Sequence, residues 1–523
     1  MRLASTASPC VLAVSCALFV VKRCCLVKVR VILRPFPWSL DHRRLLLLVV
    51  FAGIALFPLA RETDIDFWWH LRTGELIART GTVPTVDPFS YSAAGHPWVV
   101  HEWLWDLGIS WLVAHGGYGL AVLLSACVIT STYVVLYRLL RRLGANEIAA
   151  SLFVMWAAAL ALPCVGVRPR EFTFLFFAVY VSRLLTYREQ RTAHLWLLPP
   201  LMALWVNLHG GFVLGLGLLG LCIAGETWER LRAHAPLPRH LLAVGAATLV
   251  AAMLNPQGPR RLLYPFGYYL AQDNPSFGIV TEFQSPNFHQ PMSLLFAAGI
   301  LLLMLVGLRR QRPQVVEGLW AAVFTVQALV SVRQMSVAAL VIAPLLVSTL
   351  CERFRWMQAL PPARLPRRLI ALNWVVLLML VVTGAAFALG PQVAPKLQLG
   401  WAPRPGAMPV AGAEFIEQHQ LPDPVFNEQA WGGYLLYRWY PQRKVFIDGR
   451  IDMYGSDIVG EYFQVASVKP QWQSVLDKYG VRTVLTEKDS AVSVLLVTSG
   501  AWERVFTGEV EEVFVRREGN SAR

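Results

Sequence analysis

The stretch HEWLWDLGISWLVAHGG, residues 101–117, decides the fold. It is apolar and 17 residues long, at the lower limit of the roughly 17 to 25 residues that cross about 30 Å of hydrocarbon. It also carries His101, Glu102, Asp106 and His115. Such charges suit a helix lying in the interface, where Trp103, Trp105 and Trp111 sit at headgroup level. The charges along the rest of the chain choose between that reading and a short span.

Apolar windows of span length recur at about 45–60, 118–137, 147–163, 171–187, 194–208, 211–226, 240–254, 292–308, 315–331, 333–350 and 369–389, about eleven in all. Lys and Arg are retained on the cytoplasmic side of a membrane. The basic connections are the N-terminal region (Lys22, Arg23, Lys28, Arg30, Arg34, Arg43, Arg44), Arg138/Arg141/Arg142, Arg188/Arg191, Arg230/Arg232/Arg239, Arg309/Arg310/Arg312 and the run from Arg353 to Arg368. All six fall on one side if 101–117 does not cross, and the pattern is scrambled if it does. The expected topology is a cytoplasmic N-terminus, a first exterior loop over 61–117, and an exterior C-terminal tail.

Composition agrees. Hydrophobic residues make up 55% of the 523, charged residues only 15%, and there are 19 Trp, far more apolar surface than one water-soluble core needs. The expected fold is mainly α, a polytopic transmembrane helical bundle with amphipathic helices in the first exterior loop and a small C-terminal α/β domain. The net charge of +14 then reflects cytoplasmic anchoring and attraction to anionic lipid, and no basic motif with interleaved aromatics points to nucleic acid. The eight cysteines show no CxxC spacing and none lies in the tail, so they form neither a disulfide framework nor a zinc site.

The domain reading is a cytoplasmic extension (1–43), a transmembrane domain (44–390), a Pro/Gly linker (391–408) and a soluble α/β domain (409–523). Within the extension, Cys10–Val21 has the length of a signal h-region, but no small-residue cleavage site follows. In the tail, AGAEFIEQH, VASVKPQWQSVLDKYG and SAVSVLLVTS read as helices. PVFN, KVFIDGR and RTVLTE read as strands, and WERVFTGEVEEVFVRR as a closing hairpin.

Polar groups near hydrocarbon are expensive, so their placement is informative. Here they collect on the exterior side: Asp64, Asp66, His70, Glu75 and Asp87 in the loop, Arg168 and Arg170 at one turn, Asn207 and His209 at another, NPQGPRR at 255–261, Glu282 in TEFQSPNF, and Arg333 with Gln334. A transporter more often places such groups at mid-span or on paired broken helices. A positioned Asp can take a proton from an attacking hydroxyl or amine, and arginines with a histidine can neutralise a leaving phosphate. A solvated Asp pair, a capping His70 and ordinary loop hydrogen bonds are the bland readings of the same residues. In the tail, WGGYL and VFIDGRIDMYG are polar, glycine-rich and aromatic, as a carbohydrate-contacting surface often is; the favoured reading is structural, with Gly432 and Gly433 expected to permit a tight turn and Asp448, Arg450 and Asp452 expected to form an internal ion-pair network.

DIDFWWHLRTGELIARTGTVPTVDPFSYSAAGHPWVVHEWL, RPREFTFLF, LWVNLHGGFVLG, LNPQG, TEFQSPNF and FNEQAWGGYLLYRWYPQRKVFIDGRIDMYG resemble a group of uncharacterised bacterial proteins within the GT-C-type membrane glycosyltransferases. That class includes protein mannosyltransferases and lipid A aminoarabinose transferases, and the likeness spans roughly residues 60–460. It implies transfer of a sugar from a polyprenyl-phosphate donor to a glycan, lipid or protein acceptor at the exterior face of the bacterial inner membrane. The resemblance implies that an Asp at the start of the first exterior loop acts as base or positions the acceptor: Asp66, directly before FWWH, or Asp64. The acidic pair of the mannosyltransferases is adjacent, whereas here Ile65 intervenes. Arg168, Arg170, His209 and Arg333 are the expected donor-phosphate residues. His70, His101, Glu102, Asn207 and Glu282 are expected to support the loop and the acceptor. Some members of the class hold a divalent cation between carboxylates and others do not, which leaves Asp64 and Asp66 as the positions for any metal. A non-catalytic glycan- or lipid-binding assembly subunit with the same fold is the alternative, and a lipid or solute transporter the more remote one.

Overall fold

In the computed structural model the described residues are 40–60, 64–191, 194–264, 281–307, 314–358, 366–388, 390 and 408–517. Almost all of the N-terminal extension and of the linker therefore lies outside the described residues. The first part of the chain is helical: α1 His42–Ala60, α2 Phe67–Thr80, α3 Trp103–Arg142, α4 Glu147–Ala161, α5 Arg170–Gln190, α6 Leu198–Leu208, α7 Phe212–Arg232, α8 Arg239–Ala251, α9 Pro291–Gly307, α10 Val315–Val330, α11 Met335–Arg353 and α12 Arg367–Ala388.

Every apolar window in the sequence falls on one of these helices. Six are long and apolar enough to cross a membrane: α1, α3, α4, α7, α11 and α12; α6, α8, α9 and α10 are apolar but shorter. α5 has 21 residues but carries Arg170, Glu171, Arg183, Arg188 and Glu189, which dilute its hydropathy. This is a membrane protein. Its helices show two ways of placing an all-round apolar surface. α11 lies at the centre with 83% of its most apolar window buried, whereas none of the corresponding window of α12 is buried. Leu378, Met379 and Val381 of α12 thus face outward, which only lipid makes tolerable.

The 101–117 stretch is helical from Trp103 onward and breaks from the span behind it at Gly117, which has φ 67° and ψ −178°. A side chain disfavours that left-handed φ, so glycine is the residue that turns the helix there. α2 packs on this first segment of α3. At Gly74 a Cβ would collide with the Asp106 carbonyl, so glycine allows the two backbones to cross closely. That crossing sits one turn after His70 and fixes where its imidazole lies. Buried aromatics lock the bundle below: Trp205 Nε1 donates to Thr173 Oγ1 at 2.9 Å and Trp320 Nε1 to the Leu218 carbonyl at 3.0 Å. Truncating either to Ala should cost about 3–5 kcal/mol.

The tail comprises α13 Val410–Gln418, β1 Val425–Asn427, α14 Gln429–Trp439, α15 Ile451–Ala466, α16 Trp472–Lys478, β2 Thr483–Glu487, α17 Ala491–Ser499, β3 Trp502–Thr507 and β4 Glu511–Arg516. Its sheet runs β1-β2-β4-β3, with β1 and β2 parallel and the β3–β4 hairpin antiparallel. Three expectations fail here. KVFIDGR is not a strand, because Val445 forms a single bridge with Ser90 of the first loop instead of joining the tail sheet. VASVKPQWQSVLDKYG is not one helix, since Val468 has φ 53° and Pro470 follows it. Gly432 and Gly433 do not make a turn. They lie inside α14, where a Cβ on Gly432 would strike the Ile447 carbonyl and one on Gly433 would come within 2.6 Å of the Ile65 carbonyl.

The second of those approaches shows how the tail is seated. α14 packs on α2 and on the Asp64–Asp66 turn, with Trp68 and Tyr434 edge to face at 5.5 Å. Tyr91 of the loop donates to the Val425 carbonyl at 3.0 Å. Deepest in the seam, Arg450 binds Asp448 in its own turn (2.9 and 2.6 Å) and Asp87 of the loop (2.8 Å), with its guanidinium 4.4 Å from the Trp98 ring centre. The expected internal network is therefore half right: Asp448 and Arg450 pair, Asp87 is the third member, and Asp452 instead accepts a bond from Tyr264.

Candidate functional site

Above the bundle lies a cavity of about 1130 Å³, and Asp64, Asp66, His70, His101, Glu102, Arg168, Arg170, His209, Glu282 and Arg333 all line it. Ten of the eleven candidate residues, from six segments far apart in sequence, are thus brought together. Asn207 does not line it. Its amide accepts from Trp103 Nε1 (2.8 Å) and donates to the Ala203 and Leu254 carbonyls (2.7 and 2.8 Å), so it ties the surface helix to α6.

The two aspartates differ. Asp64 is spent on structure: Oδ1 accepts the Asp66 backbone N–H at 2.8 Å and Oδ2 accepts from Arg168 Nε. Asp66 stands at the N-terminal end of α2, with Oδ1 accepting from Trp69 Nε1 at 3.0 Å, and no described residue donates to its Oδ2. Burial raises its pKa, opposed by the Trp69 bond and by His70. Gly449 of the tail presses on it from the other side, where a Cβ would overlap Oδ1.

Behind Asp66, Glu102 sits among three imidazoles: His70 Nε2 at 3.5 Å, His101 Nε2 at 3.6 Å and His209 Nε2 at 3.6 Å. Burial pushes its carboxyl up to about 7, against the pull of His70. Hydrogen bonds on the far side assign the ring protons. His209 Nδ1 accepts the Gly211 N–H at 2.9 Å, so its proton lies on Nε2, toward Glu102. Burial, then Arg333 and Arg170, holds His209 well below its ordinary pKa, and the ring is neutral. His70 Nδ1 is 2.5 Å from Oδ1 of the buried Asp106, and its ring stacks on Trp69 at 3.6 Å. His101 Nδ1 faces the Val99 carbonyl at 3.2 Å, and burial, then Arg261, pushes it down to about 4.

The arginines gather round one acid. Glu282 accepts from Arg168 (3.1 Å) and Arg170 (3.2 Å), with Arg333 at 3.9 Å. Burial pushes its carboxyl up, but Arg170, Arg333 and Arg168 together outweigh that and hold it below the ordinary value. The turn carrying the first two is built locally: Glu171 Oε1 accepts from Ser125 Oγ at 2.8 Å and from the Gly166 N–H at 3.0 Å, which fixes where α5 begins.

A divalent cation between Asp64 and Asp66 does not fit. Arg168 and a backbone N–H already occupy the Asp64 oxygens, and no group of three or more His, Cys, Asp or Glu is placed to hold an ion among the described residues. Asp106, Arg261, Tyr264 and Gln429 also line the cavity wall, and the sequence reading assigns none of them a role at the site. Asp106 had a signal, being four residues after Glu102 and so on its side of a helix. Arg261 lay in a Gly/Pro loop with nothing to mark it beyond its charge.

No family model matches the chain, and no curated protein does. Solved structures do. The archaeal oligosaccharyltransferase AglB from Archaeoglobus fulgidus, in complex with an inhibitory peptide and a dolichol-phosphate, aligns with a TM-score of 0.54 at 12% identity, over 84% of this chain and 69% of that one. The same archaeon's oligosaccharyltransferase tethered to an acceptor peptide aligns with a TM-score of 0.52 at 13% identity, over the same shares. ArnT from Cupriavidus metallidurans bound to undecaprenyl phosphate gives 0.43 at 16% identity, over 91% of this chain and 99% of that one. The chain shares the fold of the archaeal oligosaccharyltransferase.

Proposed function

We propose that the protein is a glycosyltransferase that moves one sugar from a polyprenyl-phosphate donor to an acceptor at the exterior face of the bacterial inner membrane. The observation that carries the reading is the composition of one cavity. It holds a carboxylate with an open oxygen, Asp66, and an arginine cluster at Arg168, Arg170 and Arg333. It continues along apolar side chains of α7 and α10, among them Val213, Leu214, Leu221, Val323 and Phe324. Those three surfaces match an acceptor proton, a lipid phosphate and an isoprenoid chain. The neighbouring solved structures, one bound to a dolichol-phosphate and one to an acceptor peptide, support the same assignment.

In this mechanism Asp66 Oδ2 takes the proton from the acceptor hydroxyl or amine as that atom attacks the anomeric carbon. The bond from that carbon to the phosphate oxygen breaks, and the phosphate leaves with its electron pair. Arg333 and Arg170 meet the charge as it develops, where a preorganised donor is worth more than in water. Asp64 holds Arg168 in place and does not act on substrate. The histidines round Glu102 keep the acceptor side dry and ordered. Eleven crossings put the cavity outside and the Arg188 cluster in the cytoplasm, in keeping with the distribution of Lys and Arg.

The test is release of polyprenyl phosphate, followed by mass spectrometry of lipid extracts, from vesicles with a pool of polyprenyl-phosphate sugars. Wild type should release it, Asp66→Asn should lose about 100-fold or more, and Asp64→Asn should lose less. Equal release by wild type and Asp66→Asn, at matched protein levels, would remove Asp66 as the base, and no release by wild type would favour the binding subunit.

A further inference from the structure

A charged side chain taken out of water normally has an anion beside it, because an unpaired buried charge is costly. Arg261 breaks that pattern. It is 1% exposed and lines the cavity, yet among the described residues Nε and Nη1 have no hydrogen-bond partner. Its remaining nitrogen, Nη2, makes one long bond to the His101 carbonyl at 3.4 Å. The rings of Phe212 and Tyr264 lie 5.4 Å from its central carbon; they offer π-faces and no acceptor for the idle N–H groups. Among the described residues no carboxylate bonds to it; Glu102 and Asp452 act on its charge only from beyond bonding distance. Burial pushes the group down to about 10, which still leaves it protonated at neutral pH.

The contrast with the other cavity arginines is the point. Arg168, Arg170 and Arg333 share Glu282, and Arg168 also holds Asp64. Arg261 enters the cavity elsewhere, beside His101 and beside Tyr264, whose hydroxyl is bonded to Asp452 of the tail. One N–H on Nε and two on Nη1 are unmet donors. A neutral carbonyl satisfies such a set poorly, and a phosphate or carboxylate, with several lone pairs and a charge, satisfies it well.

We propose that Arg261 anchors a second oxyanion site, which takes a phosphate or carboxylate group of substrate separate from the phosphate at Arg168, Arg170 and Arg333. The substrates together then carry two acidic groups into the cavity. The second belongs either to the donor, as a diphosphate linkage, or to an acidic acceptor. The inference rests on the proposed function only for the identity of the first anion.

The experiment uses the full-length protein in lipid nanodiscs, with inorganic phosphate titrated and binding followed by tryptophan fluorescence. Discs are prepared empty or preloaded with undecaprenyl phosphate. A second site requires that phosphate still bind after preloading. Arg261→Gln should weaken that binding about tenfold or more, the loss expected when charge-assisted bonds are removed, and Arg191→Gln, at an exposed side chain outside the cavity, should leave it within about twofold. Preloading instead with undecaprenyl diphosphate separates the sources: displaced phosphate assigns the site to the donor, and retained phosphate assigns it to the acceptor. Loss of phosphate binding on preloading with the monophosphate would overturn the proposal, as would wild-type affinity in Arg261→Gln. The preloading arm needs only wild-type protein, so a variant that fails to fold does not spare the idea. Because the readout is binding, a failure in the transfer assay with Asp66→Asn is a separate result.

Discussion

Gly449→Ala is the sharpest perturbation the structure offers, because one methyl group reaches the proposed base from outside its own segment. A Cβ at 449 would overlap Asp66 Oδ1, with Asp66 Cγ at 3.2 Å and Trp69 Nε1 at 3.4 Å. The obstacle is the end of a side chain, so the backbone need not move. The carboxylate can swing by on the order of 1 Å and give up its Trp69 bond. In stability that costs about one neutral-to-charged hydrogen bond, roughly 1.5–3 kcal/mol. In catalysis a displacement of on the order of 1 Å in a reacting group costs about 100-fold. Gly432→Ala is the control: its Cβ would meet the Ile447 carbonyl and Asp448 within the tail, so it should lower stability at least as much through overpacking, about 1–3 kcal/mol. Its Cβ makes no direct contact with the Asp66 carboxylate. The assay is polyprenyl phosphate release per folded molecule, beside thermal unfolding in detergent. If Gly449→Ala turns over within about threefold of wild type, or Gly432→Ala loses as much turnover per folded molecule, Asp66 is not the base that the tail positions.

Arg450→Met should leave Asp87 and Asp448 facing each other in the seam and cost about 3–5 kcal/mol, seen as faster proteolysis of the tail. Asp87→Asn added to it should recover part of the loss, and a double variant no better than the single would refute the pairing. Glu102 is pushed up from 4.5 to about 7 by burial, against His70, so folding favours its protonated form. The sign follows: this stability is fully present below about pH 4.5 and is lost as pH rises through about 7. Glu102→Gln should therefore flatten the fall in melting temperature between about pH 5 and pH 8, and an unchanged slope would refute the buried acid. At the opposite end of the bundle Arg188 pairs with Glu226 at 2.5 Å, Glu229 at 3.1 Å and Glu317 at 2.9 Å. Arg188→Gln should cost about 3–5 kcal/mol, whereas Arg191→Gln, at a side chain 49% exposed, should cost about 0–1 kcal/mol; equal losses in a thermal unfolding series would show that the cluster does not hold α5, α7 and α10 together.

What the sequence made legible follows the physics of each feature. Hydrophobic run length locates helices because the bilayer sets their size, so every apolar window falls on one. Its converse is weaker: the 171–187 window reads as a span, yet α5 with its terminal charges is too polar to count among the spanning helices, and only the bundle around it explains why Arg188 can be largely enclosed. The gathering of Asp66, His70, Glu102, Arg168, His209 and Arg333 was legible for a related reason, since polar groups near hydrocarbon have few places to go. Close approaches were not legible. In sequence Gly432-Gly433 looks like a turn and Gly449 like part of a strand, because glycine is equally good at freeing the backbone and at making room for a neighbour. Here it makes room, for Ile447, Ile65 and Asp66 in turn.

That difference bears on function. Asp64 and Asp66 are equivalent as letters, and what separates them is which oxygens are already taken and what presses from the other side. Arg168, in the third loop of the helical part, takes Asp64; Gly449, in the tail, confines Asp66. The base is thus defined by two segments that lie about 100 and nearly 400 residues away in the chain. A rigid placement of that kind needs the tail seated on the loop, which the buried Arg450 bridge provides. Loosening that bridge should lower turnover even with Asp66 and the Arg168, Arg170 and Arg333 cluster intact, so the loss of activity in Arg450→Met should track the undocked fraction of the tail.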